Sequence, residues 1–264
     1  MSKNVAVVTG ASRGIGLAIT KELLKKNYKV YGLCRRPPEA MAGVRWISCD
    51  VSVKASVDEA FEKILAREKA IDLLFNNAGM GISGAAEFSG EADIARQLKV
   101  NLEGAIWCSQ AVIGAMRAAN SGKILFISSL GAVFPLPYQS FYSVSKAGMN
   151  VFSDALGMEL APFHVQTCAI MLNDVKTEFT QNRQKNSAGN EVYGGRISHS
   201  VSKMEASEQR GMSADKVARL TVRLAGKKHL PAHYVAGLSN KALLLLYRLL
   251  PTGAMLKILR KIYG

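Results

Sequence analysis

Cysteine is scarce and unpatterned. The chain has four, Cys34, Cys49, Cys108 and Cys168, with no CxxC step and no metal-ligand spacing. Neither a disulfide scaffold nor a cysteine metal site is expected, and a reducing compartment fits. Prolines number only 7, and charged residues make up 20% against 48% hydrophobic, which excludes collagenous and disordered classes. Long apolar runs are also missing. The run 5–8 is too short for a secretory signal, and Gly10 interrupts it. The longest charge-free stretch, 124–145, holds Gly131, Pro135 and Pro137 among serines and tyrosines, which is wrong for a lipid-facing helix. A cytoplasmic protein with no membrane span is expected.

Acid is short in the C-terminal third. The net charge is +14, but residues 1–175 hold 18 Lys+Arg against 15 Asp+Glu, whereas 176–264 hold 16 against 5. Anionic lipid, an acidic carrier protein and nucleic acid are the candidate partners for such a face; the plainer alternative is a solvated surface with none. No basic–aromatic interleaving or recognition motif accompanies the charge, so nucleic acid is not expected as a partner.

What is present is a rhythm. Short β-branched runs at 5–9, 29–34, 45–49, 71–76, 123–128 and 165–171 alternate with helical apolar spacing at 16–26, 56–67, 95–119 and 143–160. Runs apolar on both faces imply a parallel sheet between two helix layers. The expected fold is α/β, a doubly wound parallel sheet in a single domain spanning 1–264. Residues 177–212 break the rhythm without sustained periodicity, as a lid over substrate or a disordered insertion would. A helix resumes behind Ser213, an N-cap candidate with Asp215 in its first turn. A last strand follows near 233–236.

The first strand runs into Gly10-Ala11-Ser12-Arg13-Gly14-Ile15-Gly16. Glycines there allow a sharp turn and close backbone approach to a pyrophosphate, whose charge suits a helix start. The spacing is GxxxGxG rather than GxGxxG. A dinucleotide with a free ribose 2′-hydroxyl calls for an acid at the end of the second strand. Here that strand ends in Arg35-Arg36. Either arginine can meet a 2′-phosphate, with Arg13 in reach, so NADP(H) is the expected cofactor.

Tyr142 and Lys146 lie four apart and so share one helix face. Ser129 stands thirteen residues upstream, just past a strand. Together with the glycine turn, Asn76-Asn77-Ala78-Gly79 and Asn101, these residues resemble the short-chain dehydrogenase/reductase family, five motifs in register from residue 3 to about 180. Reducing a ketone requires a hydride at carbon and a proton at oxygen. A free tyrosine, with a pKa of ~10, is a poor acid/base near neutrality, and a lysine ammonium one turn away is expected to pull that pKa down.

The resemblance implies a Rossmann-type fold and roles for particular residues. Tyr142 is the acid/base and Lys146 hydrogen-bonds the nicotinamide ribose. Ser129 orients the carbonyl, and Asn101 holds a proton-relaying water. Asp50 and Val51 contact adenine. Asn77, Ala78 and Gly79 floor the cofactor cleft, with a structural role at least as strong. Thr177, with Val175 beside it, bonds the carboxamide. Where the family has Pro-Gly before that threonine, this chain has Leu172-Asn173, and Asn is expected to take over a positive-φ turn.

The chain continues beyond the last strand with a leucine-rich, basic extension at 240–264. Its final 24 residues carry five Lys+Arg and no acid, and Pro251 divides them into two short helices. The layout resembles family members acting on steroids, retinoids and long-chain lipids. The expected activity is therefore NADP(H)-dependent interconversion of a lipophilic ketone or aldehyde and its alcohol. A 3-oxoacyl-thioester reductase docking an acidic carrier, and a non-enzymatic NADPH-binding protein, are the alternatives. The family resemblance implies a homodimer or homotetramer built on helices 95–119 and 143–160. The extension reads as a peripheral membrane contact, a packed helix pair or an interface.

Overall fold

The computed structural model describes residues 4–38 and 41–263. Residue 3, where the resemblance begins, and Gly264, the end of the extension, lie outside the described residues. Seven strands form the central sheet: β1 (Val5–Thr9), β2 (Lys29–Cys34), β3 (Val44–Ser48), β4 (Leu73–Asn76), β5 (Gly122–Ser129), β6 (Val165–Leu172) and β7 (His233–Val235). Their order is β7-β6-β5-β4-β1-β2-β3, and every pairing is parallel. The reversal of order between β1 and β4 opens a crevice at the carboxyl ends of the strands, where doubly wound sheets bind ligands.

Alternation along β1 shows why the sheet is sandwiched. Val5 and Val7 join one core with α2 (Lys54–Leu65), α4 (Gly104–Ala118) and α5 (Ser140–Leu160). Ala6 and Val8 join the opposite core with α1 (Gly14–Lys25) and α7 (Ala214–Ala225). Successive side chains of a strand point to opposite faces, so a strand buried on both must be apolar throughout. All four cysteines are free and buried.

Three local differences from the sequence reading have physical causes. The single helix expected over 95–119 is split. α3 (Glu91–Leu98) passes through a π-turn, Lys99–Glu103, before α4 begins. A π-turn inserts one extra residue and re-aims the side chains within it; here it carries Asn101. The segment 177–212 is an ordered excursion holding α6 (Arg196–Gln209), which buries Ile197, Val201 and Met204. Its apolar spacing is correct, but flanking Ser, Lys and Glu hide it. Asn173 is not among the positive-φ residues. Strand pairing extends to Leu172 opposite Ser129, so no left-handed turn is needed there.

The helix expected behind Ser213 is α7, and the Ser213 hydroxyl accepts from the Lys216 N–H at 3.3 Å. Beyond β7, the extension forms α8 (Leu238–Leu249) and α9 (Thr252–Tyr263). No helix among the described residues is long and apolar enough to cross a bilayer.

Candidate active site

The glycine turn lies at the mouth of the crevice. Gly10 and Gly14 have φ of 63° and 53°, a region side chains disfavour. A Cβ on Gly10 would sit 3.0 Å from the Ala78 Cα, and one on Gly16 would collide with the Gly10 carbonyl and Asn77 Nδ2. α1 starts from an extended Arg13, with no side-chain cap and no acid in its first turn. Its first N–H groups and positive dipole end are therefore left for an anion. Ile15 packs into the α1/α7 core. Arg13, Arg35 and Arg36 are all exposed. Among the described residues none of the three joins an ion pair. A bare backbone cradle flanked by uncommitted cations fits a dinucleotide phosphate.

Other residues expected at the cofactor hold the crevice together. Thr9 Oγ1 accepts from the N–H groups of Asn77 and Ala78 at 2.9 and 3.0 Å, and Asn77 Nδ2 donates to the Thr9 carbonyl at 2.9 Å. These bonds lock the ends of β1 and β4 together, the structural role anticipated for Asn77 and Ala78. The Asp50 carboxylate accepts from Ser52 N–H and Oγ at 2.9 and 2.6 Å, just past β3. Val51 beside it is buried against Gly104. A Cβ on Gly79 would lie 3.5 Å from Asn101 Oδ1 and 3.9 Å from Lys146 Nζ, so Gly79 stands beside these groups.

Ser129, Tyr142, Lys146 and Asn101 converge. Ser129 ends β5, and its hydroxyl accepts from the Gly131 N–H at 3.0 Å; Ser129 Oγ and the Tyr142 ring both flank Gly131. Burial raises the Tyr142 pKa, and the nearby Ser129 hydroxyl only partly offsets it. The expected lowering by Lys146 is absent. The ammonium lies 5.9 Å from the Tyr142 ring centre and donates instead to the Ile127 carbonyl at 2.7 Å. Burial lowers Lys146 itself to about 8. Asn101 is fully buried. Its amide donates to the Met80 carbonyl at 2.9 Å and Ser145 Oγ at 3.2 Å, while Oδ1 accepts from the Met80 N–H at 2.8 Å. Both amide protons are thus committed to positioning the Met80 backbone and α5.

The segment after β6 closes over this group. The Thr177 side chain faces Gly14, 3.6 Å from where its Cβ would stand, and its hydroxyl accepts from the Phe179 N–H at 3.2 Å. Val175 pairs with Met212 in a two-residue bridge. Phe179 then packs on Tyr142, with ring centres 6.1 Å apart. The Arg183 guanidinium also stands 5.7 Å from the Phe179 ring centre. Arg183 is buried and ion-paired with Glu208 of α6. Glu208 also accepts from Thr180 Oγ1 at 2.5 Å. Sequence reasoning missed this Phe179–Arg183–Glu208 chain. No local spacing marks it, because its partners lie 25 residues apart across an excursion that looked irregular.

The family model described as short chain dehydrogenase matches residues 4–188. The chain is 36% identical to the 3-ketodihydrosphingosine reductase of Bacteroides thetaiotaomicron, over 88% of this chain and 87% of that protein. It is 31% identical to the NADPH-dependent 1-acyldihydroxyacetone phosphate reductase of Saccharomyces cerevisiae, over 84% and 78%. A solved short-chain dehydrogenase from Streptomyces avermitilis superposes with a TM-score of 0.82 at 24% identity, covering 94% of this chain and 92% of that one.

Proposed function

The chain belongs to the short-chain dehydrogenase family, and from that premise we propose an NADP(H)-dependent oxidoreductase interconverting a lipophilic ketone or aldehyde and its alcohol. The observation carrying this reading is the convergence of Ser129, Tyr142 and Lys146 beside a glycine cradle edged by three exposed arginines. The named activities of two relatives, on a sphingoid ketone and on an acylated dihydroxyacetone phosphate, support the lipid-like substrate class.

In the proposed mechanism, the turn Gly10–Gly16 and the start of α1 would hold the pyrophosphate, and Arg35, Arg36 and Arg13 would hold the 2′-phosphate. Asp50 and Val51 would take the adenine, and Val175 and Thr177 the nicotinamide end. A dinucleotide bound there supplies or accepts the hydride. Ser129 Oγ orients the substrate oxygen, and the Tyr142 hydroxyl delivers or removes its proton. Lys146, Asn101 and Gly79 form the floor behind Tyr142. Phe179 covers its ring and keeps water from the proton-transfer path. The segment 177–212 thus acts as the substrate lid. The outer face of α5 leaves Val144, Val151 and Met158 exposed at seven-residue spacing, which supports a homodimer or homotetramer interface.

The deciding experiment compares NADPH with NADH before and after Arg35→Ala/Arg36→Ala. Charge-assisted phosphate contacts contribute about 1.5–3 kcal/mol, so kcat/KM with NADPH is expected to fall about tenfold to a hundredfold while NADH changes little. A wild-type preference for NADH overturns the cofactor assignment.

A further inference from the structure

We propose that α8 and α9 form a docking face for an anionic lipid surface, and that this face leads into the catalytic crevice. The second clause rests on the lipophilic-substrate reading; the docking does not.

At about 100° per residue, α8 has two distinct sides. Leu244 is buried and Tyr247 half-buried on one side. Leu238, Leu245 and Leu249 share the opposite arc at 84%, 59% and 73% exposure. Lys241 and Arg248 edge that arc, and both are exposed. Three leucines standing outward together, with no acceptor or donor among them, match the apolar side of an interfacial helix.

α9 complements this arrangement. It buries Met255 and Leu259 and turns Lys257, Arg260 and Lys261 outward. Residues 241–264 carry no acid, so the face is cationic throughout. That sign selects the occupant. A second copy of the chain would bring like charges together on desolvation, whereas phosphate headgroups neutralise the cations and acyl chains receive the leucines.

The inner sides of the same helices reach the active site. Leu244, Met255 and Leu259 pack with Leu130, Phe134, Met171 and Val235, and Leu130 directly follows Ser129. Phe134 and Tyr247 meet edge to face with ring centres 4.9 Å apart. α9 also touches the lid helix α6. A bilayer-resident carbonyl compound would therefore enter beside Ser129 without crossing bulk water.

The test is co-sedimentation of the full chain with phosphatidylcholine vesicles, with and without phosphatidylglycerol. Binding is expected only with the anionic lipid. It is expected to vanish between about 0.1 M and about 1 M salt, as the screening length falls from about 10 Å to about 3 Å. Each near-surface cation strengthens binding about fivefold, so Lys257→Ala/Lys261→Ala should weaken it about 25-fold. Leu245→Ser/Leu249→Ser should weaken it about tenfold or more. Both pairs are exposed, so an unchanged thermal midpoint is expected and verifies folding.

No binding to anionic vesicles, equal binding to neutral ones, or insensitivity to either pair overturns the proposal. Capture of an acidic carrier protein in place of vesicles also overturns it. NADPH-linked turnover of detergent-dispersed long-chain ketones and aldehydes, offered without vesicles, is measured alongside. Its absence with vesicle binding intact defeats the functional reading and leaves the docking standing. Its presence without vesicle binding does the reverse.

Discussion

Buried charge is handled in opposite ways at the two ends of the sheet. Near the amino ends of β2 and β3, Glu68 is buried but fully partnered. Its carboxylate accepts from Lys29 Nζ at 2.8 Å, Arg45 Nη1 at 2.7 Å and the Tyr31 hydroxyl at 2.6 Å. Burial alone would raise its pKa, yet these partners together hold it below the ordinary carboxylate value. At the carboxyl ends, Lys146 has the Ile127 carbonyl and no carboxylate, and burial lowers it to about 8. Arg183 there is ion-paired with Glu208 but keeps Nε and Nη1 without hydrogen-bond partners. One end satisfies its charges and the other leaves them poised. Such incomplete satisfaction costs stability and is expected where groups must bind or move a proton.

The sharpest break in this comparison comes at Tyr142. Tyr142→Phe keeps the ring against Phe179 but removes the transferable proton. Turnover is expected to fall ~10²–10⁴-fold while NADPH affinity, read by fluorescence titration, stays near wild type. Activity close to wild type would remove Tyr142 from the mechanism.

Next in size is the Arg183–Glu208 ion pair. Arg183→Met leaves the half-buried Glu208 without its cation, a loss of about 2 kcal/mol. Replacing both partners, as Arg183→Met/Glu208→Gln, should restore most of that, because a neutral pair has no uncompensated charge. Urea unfolding of the two variants checks the difference. Equal losses in both would mean that the ion pair does not hold the excursion 177–212 in place.

The legibility of the molecule divides along similar lines. The parallel sheet was readable because strands buried on both faces are apolar at every position, as in β1 and β5. The site residues were readable where chemistry forces local spacing: Tyr142 and Lys146 one turn apart, glycines at a backbone cradle. Tertiary effects were not readable. Burial, rather than the neighbouring ammonium, sets the direction of the Tyr142 shift, and burial is a property of the whole fold. The π-turn at Asn101 was hidden because its residues continue the apolar spacing of a helix. Arg183 looked like any surface arginine in a polar segment. Only the return of α6 makes it an internal cation.

Lys146 and Glu68 should respond to pH in opposite senses. Lys146 keeps its proton in the unfolded chain up to its ordinary value of 10.5, but only up to about 8 when folded. The folded state therefore carries the full desolvation cost below about pH 8 and escapes it as pH rises toward 10.5. Lys146→Met removes that cost. The variant should lose activity yet gain about 1–3 kcal/mol at pH 7, the Ile127 hydrogen bond setting the lower end. The advantage should shrink by pH 10. Chemical denaturation at both pH values measures it, and a variant less stable than wild type at pH 7 contradicts the reading of Lys146 as a strained group.

Glu68→Gln tests the satisfied end and carries the smallest expected effect. The amide keeps the shape and one acceptor, but loses the charge that Lys29 and Arg45 face. Tyr31, fully buried, keeps a weaker partner. Lys29 and Arg45 are themselves part-exposed, at 33% and 46% of their side chains, so solvent screens much of the Coulomb energy. A loss of about 1–2 kcal/mol is expected at pH 7. The folded-state pKa of Glu68 lies below its unfolded value of 4.5, so its contribution is complete above pH 4.5. It fades as pH falls through the folded value. Wild type and variant should therefore converge in acid, while wild type and Lys146→Met converge in base. A Glu68→Gln difference that persists unchanged below pH 3 would mean that its packing, rather than its ion pairs, holds that end of the sheet.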